Sequence, residues 1–376
     1  MKFINLFIVG YGTVAKALID IINEKKEYLL QKTGKVLVIC GICNSKTYII
    51  NRNGFSLDKI KEELFIGEEN KDNKFIEAIS SFKLSNSIFV DCTASKDIAS
   101  LYIDIFSRNF SIVTCNKIAN SLSYSLYKEL FENALANNVF YRYETTVCAA
   151  LPVLSTIEQI KNSGDNIFKA EGILSGTLNY LFSKYNGEVS FAALVKQART
   201  KGYTEPDPRL DIAGTDVLRK FIILSREAGE AIESSYVNFE GFIPDNILAP
   251  DRTDFNSYSE EFYSKLEAYE PILKEKYNIA AKEGKKLRFI ATLNKMNSLG
   301  RKAYLAIDPT LANDKAFTIA HVGLQAIDSS HAFYTLEGTD NAVILTTDYY
   351  PRGIVIKGAG AGGRQTASGL LNDIVR

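Results

Sequence analysis

The 376-residue chain balances 44 lysines and arginines against 44 aspartates and glutamates, so no overall field draws it to nucleic acid or an anionic membrane; a small-molecule substrate and other subunits are the expected partners. Hydrophobic residues make up 46% of it, enough for a sizeable core, which excludes a disordered chain and favours two domains or one elaborated domain. No apolar run approaches the roughly 18 residues of a membrane span, and Met1-Lys2-Phe3 leads straight into a strand-like segment instead of a secretory leader, so a cytoplasmic protein is expected.

Five cysteines, an odd number scattered through apolar runs, read as reduced core thiols rather than a disulfide framework. Cys40 and Cys43 form a CxxC, yet the period of two in a strand sends them to opposite faces, which argues against shared metal or redox use.

Phe3–Val9 is an apolar run of strand length ending at Gly10-Tyr11-Gly12-Thr13-Val14-Ala15, after which Ala17, Leu18, Ile21 and Ile22 recur at helical spacing. Gly10 allows a tight turn, Gly12 lets backbone approach a pyrophosphate, and the small Ala15 permits close helix packing. The pattern suits a dinucleotide site at the head of a βαβ unit; it also suits an ordinary turn from strand to helix. The next strand, Val36–Ile42, runs into Cys43-Asn44-Ser45-Lys46 without the Asp or Glu that would accept from a ribose 2′-hydroxyl. A 2′-phosphate is therefore tolerated, with Lys46 as its contact and Arg52 near in sequence. Residues 44–86, including the charged run Gly67–Lys74, read as a surface excursion with short helices.

Ser87–Val90 delivers Asp91-Cys92-Thr93-Ala94-Ser95, and Phe110–Val113 delivers Thr114-Cys115-Asn116-Lys117, to the edge where open α/β sheets bind ligands. By position alone, Lys117 is either solvated or functional. Val139–Tyr143 is a further strand, and Glu144 to Pro152 is a small-residue crossing into a second domain. Ala170–Leu174 reads as a strand ending in Ser175-Gly176-Thr177, whose hydroxyl and backbone donors suit a carbonyl or carboxylate. Helical patterns follow at Leu178–Tyr185 and Phe191–Lys201.

The stretch Lys201–Lys220 crowds Glu205, Asp207, Asp211 and Asp216 against Arg209, Arg219 and Lys220, with Pro206 and Pro208 stiffening the turn. A helix then opens at Gly214-Thr215, with Val217, Leu218, Phe221, Ile222 and Leu224 turned to a core and Asp216 four residues before Lys220. That pair is either a solvated i,i+4 ion pair or an acid and an amine poised to hold an amino-acid substrate and move a proton.

Beyond it, Tyr258–Lys282 reads as a charged helix, most of it a solvated face. Leu287–Leu293, Lys302–Ile307, Phe333–Leu336 and Ala342–Thr346 read as strands of a second sheet, suited to face a twin subunit. The histidines, His321 and His331, fall in that sheet, which argues against His-based hydride chemistry or a His/Cys zinc site. Ile354–Ile356 runs into Gly358-Ala359-Gly360-Ala361-Gly362-Gly363 ahead of a helical Thr366–Val375, glycines that again suit close approach to a ligand.

Four segments, YETTVCAALPVL (143–154), GILSGTLNYLFS (172–183), GYTEPDPRLDIAGTDVLRK (202–220) and GAGAGGRQTASGLLNDI (358–374), resemble the homoserine dehydrogenase family in content and order. The resemblance implies an α/β chain with a Rossmann-like nucleotide-binding domain (1–147, completed by 356–376) and an α+β catalytic and dimerisation domain with a second sheet (148–355). It implies reversible reduction of L-aspartate 4-semialdehyde to L-homoserine with NADP, or alternatively NAD, by a homodimer. Lys220 is then the proton donor, Asp216 its orienting partner and a substrate contact, and Lys117 a cation at the nicotinamide. Glu205 and Asp211 take the substrate ammonium and Thr177 the opposite end. The cofactor set is Gly10, Gly12, Thr13, Val14, Lys46, Thr93, Ala94, Ser95, Lys117, Gly202, Gly360 and Gly362. A monovalent cation such as sodium is implied at Glu144 and the carbonyls of Val147, Ala149 and Leu151, although Cys148 and Ala150 stand where the family commonly has glycine. With no length left for a kinase or regulatory domain, a stand-alone catalytic unit is expected. Two other readings stay open: a different oxidoreductase on this architecture, which would lack the TEPDPR turn, and a silent dinucleotide-binding protein, which would lack Lys117, Asp216 or Lys220.

Overall fold

Residues 1–71, 74–295 and 318–376 are described in the computed structural model, and they fall into two units, Met1–Leu151 with Ala361–Arg376, and Pro152–Gly360. The first is built on β1 (Lys2–Val9), β2 (Lys35–Cys43), β3 (Thr47–Ile50), β4 (Glu68–Glu69), β5 (Ser87–Asp91), β6 (Ser111–Thr114) and β7 (Tyr141–Arg142), in the order β4-β3-β2-β1-β5-β6-β7. Strands β2, β1, β5, β6 and β7 run parallel. Their apolar runs suit burial on both faces, and Leu6, Phe7, Ile8, Phe89 and Val90 have no exposure at all. The chain leaves β1 for β2 on one side and returns as β5 on the other, so the strand order reverses beside β1 and makes a crevice at the carboxyl ends of β1 and β5.

The helix Thr13–Thr33 buries Ala15, Leu18, Ile19, Ile21, Ile22 and Leu29 and stops at Gly34, whose φ of 67° closes the last turn. The helix Gly363–Val375 joins the same core through Ala367, Leu370 and Ile374. Residues 44–86 are more than a surface excursion. They add β3 and β4 to the sheet and bury Tyr48, Ile60, Leu64, Phe75, Ile76 and Ile79, because their short helices carry apolar residues three or four apart. The strand expected at Val139–Tyr143 pairs only at Tyr141–Arg142, since Asn138 (φ 54°) precedes it and a 3₁₀ turn at Glu144–Thr146 follows.

The second unit carries β8 (Ile167–Ile173), β9 (Asn238–Phe239), β10 (Lys286–Lys295), β11 (Thr318–Ile327), β12 (Asp340–Thr347) and β13 (Ile354–Ala359), ordered β13-β12-β8-β10-β11-β9. All its pairings are antiparallel except β11 with β9. The helix Phe255–Lys282 buries Phe255, Tyr258, Phe262, Tyr263, Leu266 and Leu273 along one stripe and exposes most of its charges, with Lys265 and Glu270 half-buried. The strand expected at Lys302–Ile307 lies outside the described residues. Phe333–Leu336 is a turn, and His331 sits in that turn rather than in the sheet. The cause is Arg288, fully buried on β10, whose Nη2 donates to the carbonyls of Tyr334 and Leu336 while Nη1 donates to those of Phe182 and Leu287. Carbonyls that a strand would place on a ladder are satisfied by one guanidinium, and Phe333 and Leu336 are free to cap the core around Ile173, Ile290 and Ile344. Arg288→Met should therefore destabilise the protein by about 2–4 kcal/mol in urea unfolding, because carbonyl acceptors lose their donor; an unchanged midpoint would show that the turn closes without the guanidinium.

Candidate dinucleotide and substrate sites

At the crevice of the first unit, Gly10 adopts φ 90°, and a Cβ on it would lie 2.7 Å from Thr93 Cγ2, so the β1 turn and the β5 end touch through a position only glycine fills. Gly12 is the N-cap of the helix Thr13–Thr33 and has open space beside it. No side chain caps that helix, and no acidic residue lies in its first turn. The amides around Thr13 and Val14 are thus left for an anion, as a pyrophosphate would require.

Asp91, wholly buried at the end of β5, organises the two neighbouring loops. Its Oδ1 accepts from the Thr93 N–H (2.7 Å), and its Oδ2 accepts from Tyr102 Oη (2.7 Å) and Asn116 Nδ2 (3.0 Å). Asn116 Nδ2 also donates to the Ser95 carbonyl (2.9 Å), and Asn116 Oδ1 accepts from the Ile118 N–H (3.0 Å). Burial pushes the Asp91 carboxyl above its ordinary range while these hydrogen bonds pull it back. Thr93, Ala94, Ser95 and Lys117 are all held by this network, although the Ser95 hydroxyl is committed to capping the helix Lys96–Ser100. Sequence reasoning passed over Tyr102 and Asn116 and gave Asp91 no role. The available signal was a carboxylate closing an otherwise apolar strand.

At the end of β2, Asn44 Oδ1 accepts the N–H groups of Lys46 (2.7 Å) and Thr47 (2.8 Å), leaving Ser45 and Lys46 exposed on a fixed turn. Arg52 is elsewhere. Strand β3 folds back along β2, so the Asn51 N–H meets the Cys40 carbonyl and the Arg52 carbonyl accepts from Cys40 Sγ, away from the strand end. The same folding sets Glu69 opposite Thr47, and Glu68 opposite Tyr48, whose hydroxyl it accepts at 2.7 Å. Carboxylates absent from positions 44–46 thus return from β4.

Glu144 is buried in its 3₁₀ turn, and its N–H donates to Asp373 Oδ2 (3.1 Å). Asp373 is pushed up to about 7, chiefly by burial, with the charge of Glu144 adding to it. Arg142 and Arg376 act against that rise, and Arg142 Nη1 donates to the Asp373 carbonyl (2.7 Å), so cationic side chains already face this pair of acids. Cys148 (φ 60°) and Ala149 (φ 53°) adopt left-handed backbone, so Cys148 tolerates a shape usually given to glycine. Val147 and Ala149 are buried, and Leu151 is half-buried. Among the described residues no cluster of three His, Cys, Asp or Glu could hold a metal, so oxygen ligands here would have to include carbonyls. Asp373 had no mark in the sequence beyond being an acid in an apolar helix.

In the second unit Lys220 is buried, and its Nζ donates to the Leu174 carbonyl (2.8 Å) and lies 2.9 Å from Asp216 Oδ2. Lys220 is turned into the interior, while the Asp216 side chain keeps 47% of its surface exposed. Leu174 follows the end of β8, and Ser175 and Gly176 lead from it to Thr177, whose hydroxyl meets the Tyr203 carbonyl (2.5 Å) and Asp211 Oδ1 (3.0 Å). Asp211 Oδ2 accepts from the Glu205 N–H (2.8 Å), and burial, helped by the charges of Glu205 and Asp216, raises its pKa. Thr177 and Asp211 therefore share one end, and Thr177 cannot take the opposite end of a substrate from Asp211. Arg209 is buried and donates to Asp207 and to the carbonyls of Leu248, Ala249 and Arg252. It anchors the turn and leaves Glu205 exposed above it. Gly202 (φ 70°) closes the helix Phe191–Thr200 by donating to the Arg199 carbonyl, which accounts for it without a ligand. A Cβ on Gly360 would meet the Asn341 side chain at 2.2 Å, so that glycine serves packing, whereas Gly362 (φ 121°) starts the last helix.

A parallel sheet with an uncapped glycine turn at its switch point, joined to a unit holding a buried lysine beside carboxylates, is the equipment of a nicotinamide-dependent oxidoreductase. The chain belongs to the homoserine dehydrogenase family: residues 152–375 match the homoserine dehydrogenase family and residues 10–144 its NAD binding domain. It is 34% identical over 377 aligned residues to the bifunctional aspartokinase/homoserine dehydrogenase of Haemophilus influenzae, covering 100% of this chain and 43% of that protein. This chain thus spans about two-fifths of the length of that relative. It is 32% identical to the homoserine dehydrogenase of Saccharomyces cerevisiae, covering 100% of this chain and 98% of that one. A hyperthermophilic archaeal homoserine dehydrogenase in complex with NADPH superposes with a TM-score of 0.69 at 23% identity, over 99% of this chain and 97% of that one, a likeness of fold.

Asp91→Asn replaces an acceptor of the Asn116 and Tyr102 donors by an amide that must turn one of them away. The dissociation constant for NADPH, measured by fluorescence titration, should rise about tenfold, the effect of roughly 1.4 kcal/mol, with the circular dichroism spectrum unchanged. Unaltered affinity would mean that Asp91 serves stability alone.

Proposed function

We propose that this chain catalyses the reversible NAD(P)H-dependent reduction of L-aspartate 4-semialdehyde to L-homoserine, within threonine and methionine synthesis. The observation that carries this reading is Lys220, a buried ammonium tied to Leu174 and Asp216 at the head of the segment that leads to Thr177 and Asp211. When bound, the nicotinamide dinucleotide supplies the hydride. Reduction of an aldehyde leaves an alkoxide, which needs a proton and a nearby positive charge. Lys220 offers both, and Asp216 orients it. Glu205, exposed on the stiff turn, receives the substrate ammonium, while Asp211 and Thr177 hold that turn at the same end. Lys117, at the end of β6, is the cation assigned to the nicotinamide.

Lys220→Ala should lower kcat by about 10²–10⁴ while leaving the NADPH dissociation constant within about twofold, because a proton donor is lost and no phosphate contact is. Turnover equal to the parent in a folded variant overturns the assignment.

Positions 44–46 present the Ser45 hydroxyl and the Lys46 charge on a turn that Asn44 holds, and Glu68 is occupied by Tyr48. NADP(H) is accordingly used at least as well as NAD(H). Ser45→Asp puts a like charge against the 2′-phosphate and should shift the ratio of kcat/KM toward NAD by about 1–3 kcal/mol, roughly tenfold or more. A parent that strongly prefers NAD overturns the cofactor reading and leaves the reaction intact.

Glu144 with the carbonyls of Val147, Ala149 and Leu151 is the seat for a monovalent cation such as sodium, supported by the burial of Glu144 in its 3₁₀ turn. The second sheet, with Ile319 and Val355 exposed, is the surface for a homodimer, and the cytoplasm is the compartment. No described helix is long and apolar enough to cross a membrane.

A further inference from the structure

Two thiols stand side by side at the edge of the nucleotide-binding sheet. Asp91 on β5 is in register with Thr114 on β6, the last pair of the ladder, whose closing bond runs from the Cys115 N–H to the Asp91 carbonyl at 3.1 Å, and each chain carries a cysteine one residue further on. Cys92 and Cys115 are therefore the next facing pair. Tyr102 reaches both Asp91 and Thr114 on one face of the sheet, so the two cysteines share the other face. Neighbouring strands place such Cα atoms about 4.8 Å apart, inside the window of about 4.4–6.8 Å that a disulfide spans.

None of the five cysteines is in a disulfide; Cys40, Cys43 and Cys148 are buried, and Cys92 and Cys115 are partly exposed. Burial pushes Cys40 up to about 11 and Cys43 up to about 12, which makes them inert. Cys115 differs. The Cys115 thiol lies 3.7 Å from the Asp91 carbonyl and Lys117 stands two residues on; the neighbouring Cys92 thiol draws Cys115 below the ordinary thiol range against the opposing effect of burial, while Cys92 is raised. Of the two sulfurs, Cys115 is the one with a lysine close to it in the chain.

We propose that Cys92 and Cys115 are a peroxide-sensitive pair that closes to an intramolecular disulfide and thereby lowers dinucleotide affinity. The Cys115 thiolate attacks one oxygen of hydrogen peroxide, the O–O bond breaks, and the departing hydroxide is protonated to water, leaving a sulfenic acid. Cys92 then attacks that sulfur, and its proton leaves with the displaced hydroxide as a second water. Two thiols are oxidised and one peroxide is reduced. Closure draws the paired Cβ atoms to about 3.8 Å, moving the residues directly before Thr93–Ser95 and Asn116–Lys117. A Cβ on Gly10 would already lie 3.3 Å from the Cys92 carbonyl, so the glycine turn has little room to yield. The link to affinity rests on the reading of these loops as the dinucleotide site.

The full chain and its Cys92→Ser and Cys115→Ser variants are treated with equimolar hydrogen peroxide, with and without NADPH. Intact mass, titratable thiols and NADPH affinity are then measured. The parent should lose about 2 Da and two thiols, bind NADPH about tenfold more weakly, and recover on adding dithiothreitol. Bound NADPH should slow the loss. Cys92→Ser should stop at a sulfenic acid, about 16 Da heavier and trapped by dimedone, whereas Cys115→Ser should resist. A parent that keeps all its thiols, or gains about 32 Da as a sulfinic acid without losing 2 Da, overturns the pair. Disulfide formation with unaltered NADPH affinity overturns the effect on binding. Untreated parent that fails to bind NADPH instead overturns the site reading, because the mass measurement does not depend on it.

Discussion

A carboxylate without solvent holds the first unit's ligand edge in shape. Asp91 would be expensive to bury alone, and it is kept there by the Thr93 amide, the Tyr102 hydroxyl and the Asn116 amide. Each of those donors belongs to a different piece of chain: the turn after β5, a crossover helix, and the loop after β6. Their loops cannot move independently without stranding a buried carboxyl group. The glycine turn after β1 is fitted against the same end, because Gly10 packs on Thr93. One desolvated group thereby converts three strand ends into a single rigid rim, which is what recognition of an extended dinucleotide demands.

The second unit solves a similar problem with cations. Arg209 binds Asp207 and three carbonyls, Arg288 binds four carbonyls, and Lys220 binds Leu174 and Asp216. Arg209 has its nitrogens engaged, and Arg288 is fully buried with both terminal nitrogens on carbonyls, so these two serve as staples. Lys220 has an ammonium with three donors, of which two partners are named here, and it is attached to the strand end that leads to Thr177. The difference between a structural and a chemical cation lies in that geometry, since all three are buried.

The crossing at Glu144–Leu151 shows how far a sequence can depart from a family pattern while keeping its shape. Cys148 takes a left-handed conformation that costs a non-glycine residue on the order of 1–2 kcal/mol, and the packing around it must offset that strain. Below it, Gly369 lets the last helix approach closely, since a Cβ there would lie 2.4 Å from Thr145 Cγ2. The same helix brings Asp373 to the Glu144 amide.

What the sequence determined by itself was what depends on near neighbours in the chain: the strand, glycine turn and helix at Phe3–Ile22, the parallel runs that end at Asp91 and Thr114, and the four-residue spacing of Asp216 and Lys220. These follow from backbone freedom and apolar period, which operate over a few residues. Tertiary structure decided the rest. Asn116 reaches Asp91 across 25 positions, Thr177 reaches Asp211 across 34, and the Glu144 amide reaches Asp373 across 229. Pairing of β3 with β2 carried Arg52 away from the strand end, and Arg288 turned Phe333–Leu336 out of the sheet. In each case a polar group had to find a partner once water was removed, and which partner came within reach was set by how distant segments packed, not by the residues beside it.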